Sequence, residues 1–438
     1  MDKKSSKQIF PLTRRQFVQS SAAATAGLVA SSNFAFAGGA DTIRVGVIGC
    51  GGRGTGAAVQ ALRASDNVKL VAMGEAFKDR LDQSLTNIKK EMQDDPRIDV
   101  PEERQFVGFD AYKDVIAASD VVILTTPPGF RPMHFEAAIE ADKHVFMEKP
   151  VATDAPGVRS VLATAEKAKA KKLNVVVGLQ RHYQKVYTEW MKRIHAGAIG
   201  DVVTSHVYWN SAGVWVRPRK PGMTEMEYQM RNWYYFNWLC GDHITEQHIH
   251  NIDVSNWAKQ AHPVRAHGMG GRQVRNGKDH GEIFDHHFVE FEYADGSRMF
   301  SQCRHIEGCE NRVTESLQGT NGYAPKPGVL KTASGYTIWE HDDSNDKNPY
   351  QVEHDKLFAA ISAGEYKFAD AKGGAEATMS SILGRMATYS GQVITWDEAI
   401  KSDLSLMPKE FAWDANPPVM PDEYGYYPVA VPGKTKVL

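Results

Sequence analysis

The stretch Ile43-Arg-Val-Gly-Val-Ile-Gly-Cys-Gly-Gly-Arg-Gly-Thr-Gly56 begins as a short apolar strand ending in Val47-Ile48, and its glycines follow at once. Gly49, Gly51 and Gly54 have the G-x-G-x-x-G spacing, and Thr55 to Arg63 reads as a helix. The first glycine permits a tight turn, the second lets backbone approach a pyrophosphate, and the third lets helix pack on strand. Free N–H groups at the helix start, with the positive end of its dipole, then face the diphosphate. A second strand, Val68–Met73, ends at Glu75, about 20 residues beyond the last glycine, where an acid binds ribose hydroxyls. A glycine-rich turn with a surface glutamate is the plain alternative, but it does not explain the strand before and the helix after.

The chain has 438 residues, enough for two domains. With 42% hydrophobic and 24% charged residues it has the composition of a globular protein with a full core. A net charge of -2 supplies no basic field for nucleic acid or anionic lipid. No apolar run after the leader reaches membrane-spanning length. Cys50, Cys240, Cys303 and Cys309 fit neither a zinc spacing nor a disulfide framework.

Residues 1–37 read as an address. Thr13-Arg-Arg-Gln-Phe-Val18 is a twin-arginine pattern, Ala22–Ala30 is mildly apolar, and Ala35-Phe-Ala37 is a small-x-small cleavage site. The expectation is export of a folded protein to the periplasm, the mature chain starting at Gly38. A nucleotide cofactor made in the cytoplasm would then be acquired before export and held afterwards.

Residues 38–180 alternate strands with helices, which predicts a doubly wound parallel sheet. Asp120-Val-Val-Ile-Leu delivers Thr125, Thr126, Pro127 and Pro128 to the carboxyl edge where such sheets place ligands. His134 lies early on the next helix, and His144-Val-Phe-Met delivers Glu148-Lys149-Pro150. The cofactor set is therefore Gly49, Cys50, Gly51, Gly52, Arg53, Gly54, Glu75, Arg80, Thr125, Thr126, Pro127, His134, Glu148 and Lys149. Glu75 would repel a 2′-phosphate, so the cofactor is expected to be NAD rather than NADP. Arg53 and Arg80 are the cations that could argue otherwise.

V-G-V-I-G-C-G-G-R-G, the acid after the second strand, T-T-P-P and E-K-P together resemble the Gfo/Idh/MocA oxidoreductase family. The likeness covers most of the chain beyond residue 37, more weakly in its second half. It implies an N-terminal Rossmann domain and a C-terminal α+β domain, residues 181–406, with an open, largely antiparallel sheet. It further implies homo-oligomers formed through that sheet and a lysine, here Lys149, reaching the substrate hydroxyl. A partly desolvated lysine can donate a hydrogen bond or move a proton.

From residue 181 the pattern changes. Val202–Trp209, Phe288–Tyr293 and Arg298–Ile306 alternate like strands with one exposed face. From Asp242 the sequence reads as one helix, with Asp242, Glu246 and His250 at four-residue steps on one face and His243 close by. H-N-I-D-V-S-N-W resembles the family helix whose histidine faces substrate, which puts that role on His250; the usual aspartate four residues earlier is here Glu246. Three readings compete: a polar helix face, acid–base chemistry with a carboxylate orienting a histidine, and a metal site of Asp242, His243, Glu246 and His250. Hydride transfer to nicotinamide needs no metal, so none is assigned, and Lys149, His250 and Glu246 are the catalytic set. Arg181, Tyr183, Trp233, Tyr235, Asp242 and His243 are the substrate-binding candidates, since flat aromatic faces bind sugar C–H faces and polar groups bind hydroxyls. Asp285-His286-His287 stays outside the site. Residues 407–438, rich in proline and aromatics, form a surface-wrapping tail.

The expected function is oxidation of a sugar or polyol hydroxyl by an exported NAD-dependent enzyme with a tightly held cofactor. The alternative enzyme resembles the family's glycoside-cleaving members, which oxidise C3 transiently, eliminate and re-reduce. A non-enzymatic nucleotide sensor also fits the fold alone, but not the presence of both Lys149 and His250.

Overall fold

The computed structural model describes residues 42–438. The twin-arginine pattern and cleavage site lie outside the described residues. Within them, no helix is long and apolar enough to cross a membrane.

The first sheet contains β1 (Ile43–Ile48), β2 (Val68–Glu75), β3 (Gln105–Val107), β4 (Val121–Leu124), β5 (His144–Met147) and β6 (Val175–Val177). Its order is β3-β2-β1-β4-β5-β6 and every pairing is parallel. Helices cover both faces, so β4 and β6 are apolar throughout and fully buried. Strand order reverses between β1 and β4. That opens a crevice beyond their carboxyl ends, the place for a ligand in a sheet of this kind. Gly49 follows β1 there and Thr125 follows β4, and Thr125 Oγ1 donates to Gly49 O at 2.7 Å.

The second sheet adds β7 (Val202–Ser211), β8 (Arg265–Gly271), β9 (His286–Glu292), β10 (Arg298–His305), β11 (Arg312–Gly319), β12 (Gly322–Ala324), β13 (Val329–Thr332), β14 (Thr337–Glu340) and β15 (Ile394–Thr395). Its order is β14-β13-β12-β11-β7-β10-β9-β8-β15. Only the central β7–β10 pairing is parallel. Burial alternates along β9 and β10, as one covered face requires. The long helix 371–390 covers the inner face. Met269, Val203 and Val313 stay exposed.

The chain also returns to the first domain, which the division at residue 180 does not anticipate. Helix 349–362 packs on helix 52–64, with Gln351 Nε2 donating to Gln60 O at 2.9 Å. Ala369 then bridges Val175 at the edge of β6. The tail lies against its own chain: Trp413 stands 5.0 Å from Phe77 and 4.5 Å from Phe109, ring to ring.

Candidate functional site

The crevice between β1 and β4 holds a cavity of about 360 Å³. Gly49, at φ +97°, makes the turn into it, and a Cβ there would sit 2.4 Å from Thr126 N. At Gly54 a Cβ would meet Gly49 O at 2.0 Å, so helix and strand need a glycine to touch. Gly51 and Gly52 have no protein atom within 4 Å of such a Cβ, so their open side faces the space a diphosphate needs. Gly51 caps helix 52–64 without a side-chain bond, which leaves the first N–H groups for an anion.

Glu75 closes the other side of the turn. Its Oε2 accepts from Cys50 N at 2.7 Å and its Oε1 from Ala76 N at 2.8 Å. Burial raises its pKa, and these backbone donors oppose the rise. Oε1 also accepts from Phe77 N at 3.3 Å, so Oε2 is the oxygen that keeps a lone pair for a ribose hydroxyl. Arg53 lines the cavity, but its guanidinium pairs with Glu148 and, at 2.8 Å, with Glu353, above the Tyr350 ring. It is therefore committed within the fold, and Arg80 is the freer of the two cations.

Of the expected cofactor residues, Gly49, Gly51, Gly52, Arg53, Glu75, Arg80, Thr125, Thr126, Pro127 and His134 line the cavity. Cys50 instead turns its thiol toward Gly74 O, and Gly54 serves the packing. Glu148 holds Arg53 from below. Sequence reading missed Phe77, Phe109, Tyr112, Phe130, Trp215 and Arg217 in the lining. Trp215 and Arg217 lie in the irregular segment after β7, which carries no periodic signal.

Beside this cavity, β5 delivers Lys149, and its peptide bond to Pro150 is cis. Lys149 Nζ donates to Glu246 O at 2.6 Å and to Glu246 Oε1 at 3.1 Å, with both side chains 13% exposed. Burial raises the Glu246 pKa, and Lys149 holds the rise in check. His250 is buried, its ring 6.1 Å from that of Trp209, and its Nδ1 has no hydrogen-bonding partner. Burial first, then the charges of Lys149 and Arg181, hold its pKa well below the usual histidine range. The imidazole is thus held neutral. Arg131, also missed by sequence reading, is buried under Thr126, donating to its carbonyl at 2.6 Å; burial lowers its pKa to about 10.

The single helix expected from Asp242 is two. Helix 243–246 ends at Gln247, and helix 249–259 begins one turn later. Asp242 itself has φ +69° and caps the first helix from outside its face. Its carboxylate accepts from His243 N at 2.5 Å, Phe284 N at 2.9 Å and Tyr389 Oη at 2.5 Å, in full burial. His243 is likewise buried, stacked on His305. Neither faces the Lys149–Glu246 contact, so their placement as substrate binders is corrected, and the four-residue metal group is not assembled.

Three more substrate candidates are held elsewhere. Tyr183 gives its hydroxyl to Asp370 at 2.5 Å in the first-domain core. Tyr235 is buried with its hydroxyl on Val214 O. Arg181 pairs with buried Glu315, which also accepts from Tyr187 at 3.0 Å, so it acts as a fixed charge near His250 and not as a hydroxyl donor. Trp233 lines the nucleotide cavity, its ring 5.9 Å from that of Trp215.

Residues 43–177 match the Gfo/Idh/MocA model, an oxidoreductase family with an NAD-binding Rossmann fold. The chain is similar to an inositol 2-dehydrogenase of Serratia proteamaculans, 26% identical over 367 residues that cover 81% of this chain and 96% of that one. The corresponding protein of Cereibacter sphaeroides is 27% identical over 300 residues, 67% of this chain and 77% of its own. Among solved structures, myo-inositol 2-dehydrogenase from Lactobacillus plantarum superposes with a TM-score of 0.61 at 19% identity, covering 81% of this chain and 99% of that one. At that identity the superposition speaks for the fold.

Proposed function

We propose that this chain, whose residues 43–177 match the Gfo/Idh/MocA oxidoreductase model and which is similar to inositol 2-dehydrogenases, oxidises a ring hydroxyl of a sugar or cyclic polyol. Bound NAD supplies the hydride acceptor. The residues that would hold it fit: an uncapped helix start at Gly51, open backbone at Gly52, and a carboxylate at Glu75. The observation that carries the proposal is the Lys149–Glu246 contact beside a buried, neutral His250.

Each group has one task. His250 accepts the hydroxyl proton. Lys149, held from below by Glu246, presents its remaining N–H bonds to the oxygen as negative charge develops, in a site where burial strengthens the interaction. Glu246 keeps the ammonium in place and balances its charge.

The twin-arginine pattern supports the further reading that the protein is exported with its nucleotide and retains it through the cycle. A compartment without a maintained nucleotide pool would leave an exchanging enzyme idle after one turnover. Such an enzyme must return the hydride to a second substrate or to the same molecule. The experiment is a nucleotide assay on native protein followed by a screen of cyclic polyols and sugars. Retained NAD and one reduced nicotinamide per site support the reading; empty protein with sustained turnover on added NAD overturns the retention.

A further inference from the structure

The cavity beyond β1 and β4 has a second wall that the glycine turn does not build. Trp215 and Arg217, in the irregular segment after β7, line it together with Arg231 and Trp233. This wall meets the chain just after β2. The Arg231 guanidinium lies 4.0 Å from the centre of the Phe77 ring and pairs with Asp79 at 3.1 Å. An acid at the end of the second strand takes the adenosine ribose, so the wall stands at the adenosine end of the crevice.

The segment is fixed through its backbone, which leaves its side chains for the cavity. Arg217 N donates to Oδ1 of buried Asn232 at 2.9 Å, and Val214 O accepts from Tyr235 Oη at 3.3 Å. Trp215 is 40% exposed, with the rings of Trp233 and Tyr234 edge-on at 5.9 and 6.2 Å. The Arg217 guanidinium stands 4.7 Å from the centre of the Trp215 ring. Asp79 is taken by Arg231, and among the described residues no carboxylate comes within ion-pair distance of Arg217 or Arg80. Burial and the like charges of Arg80 and Arg231 lower the Arg217 pKa, with Asp79 opposing.

A half-exposed indole bearing an unpaired guanidinium makes a flat, positively charged surface on the cavity. Guanidinium and indole planes both stack on a nucleobase, and the charge suits the phosphate attached to it. On the reading that this cavity holds NAD, we propose that Trp215 and Arg217 close over its adenosine half, cover the adenine and slow its release. The second domain thus contributes to holding the nucleotide as well as to the chemistry at Glu246 and His250. Release requires the segment around Trp215 to lift from the first domain.

The test uses the full chain, stripped of nucleotide and titrated by calorimetry with ADP-ribose. Trp215→Ala and Arg217→Ala should each weaken ADP-ribose by ~10-fold or more, the worth of a base–aromatic or base–guanidinium contact. Unstripped samples of both variants should lose nucleotide faster than wild type on repeated desalting. Arg217→Lys, which keeps the charge and loses the plane, should restore part of the affinity. Arg219→Ala should bind as wild type, because that guanidinium pairs with Glu225 and Tyr427 and does not line the cavity. Melting of the stripped proteins should coincide, since the Arg217 backbone bond survives alanine and Trp215 is half-exposed. Unchanged ADP-ribose affinity in both alanine variants overturns the proposal and leaves the oxidoreductase reading standing, whereas a wild type that binds no ADP-ribose overturns both. Loss confined to 2′-phospho-ADP-ribose also overturns it and makes Arg217 a ligand of a 2′-phosphate instead.

Discussion

Lys149 meets Glu246 twice, at 2.6 Å from its backbone carbonyl and 3.1 Å from its carboxylate. The carbonyl ends a short helix, where free oxygens and the negative dipole end attract a cation. One lysine from the nucleotide sheet thus holds the helix segment of the second domain. Lys149→Met should lower kcat by roughly 10²–10⁴-fold, the contribution of a positioned acid or base. Retained nucleotide should hardly change, because Lys149 does not line the nucleotide cavity. Loss of nucleotide in step with activity would make Lys149 a cofactor clamp instead.

Burial holds His250 neutral well below the usual histidine pKa. As pH falls through the ordinary range near 6.5, the base should therefore stay unprotonated. The acid limb of kcat/KM should begin below the ordinary histidine range, and His250→Ala should lower kcat by roughly 10²–10⁴-fold. A wild-type limb centred near 6.5 would place the titrating base outside this pocket.

Gly51 and Gly54 should respond differently to alanine. At Gly51 the added methyl meets no protein atom and occupies the diphosphate space, so the fold should survive and bound nucleotide should be lost. At Gly54 the methyl would collide with Gly49 O at 2.0 Å, so both stability and nucleotide should suffer. Thermal melting with nucleotide content distinguishes them. Equal destabilisation by both changes would contradict this account of the turn.

Burial lowers the pKa of His134 to about 3 and that of His144 to about 4. Their unfolded forms bind protons near pH 6.5, so unfolding takes up protons below that pH. Stability present above pH 6.5 should fall as pH drops toward 4, by about 1.4 kcal/mol per pH unit for each histidine. Urea unfolding at stepped pH measures the slope, and His144→Asn should remove part of it. A flat profile from pH 6.5 to 4.5 would show these histidines to be charged in the fold.

Much of the first domain is legible in the sequence because two strong signals coincide there. The glycine spacing requires a particular backbone, and the fully apolar strands can only be buried between helix layers. The proposed catalytic residues come from Lys149 at a strand end and a four-residue step from Glu246 to His250, but Glu246 ends one helix and His250 lies on the next, so that step is not one helix face. Asp242 and His243 were misplaced because the periodic pattern runs through Gly241 and Asp242, whereas both take positive φ and restart the chain direction. Trp215 and Arg217 escaped because an irregular segment crossing from the second domain has no period to read. Tyr183 and Tyr235 have the polar tips expected of sugar binders, and only tertiary contacts reveal that those tips are already bonded.

The central claim is hydride transfer from a ring hydroxyl to a resident nicotinamide. The most direct measurement mixes native, untreated protein with a panel of cyclic polyols and sugars and follows reduced-nicotinamide absorbance, after the bound nucleotide has been identified by mass. The account predicts NAD in the protein and, with the right alcohol alone, a burst of about one reduced nicotinamide per site that Lys149→Met and His250→Ala slow by at least ~100-fold. A protein that holds NAD yet shows neither absorbance change nor conversion with any alcohol would contradict it, as would a burst left intact in both variants.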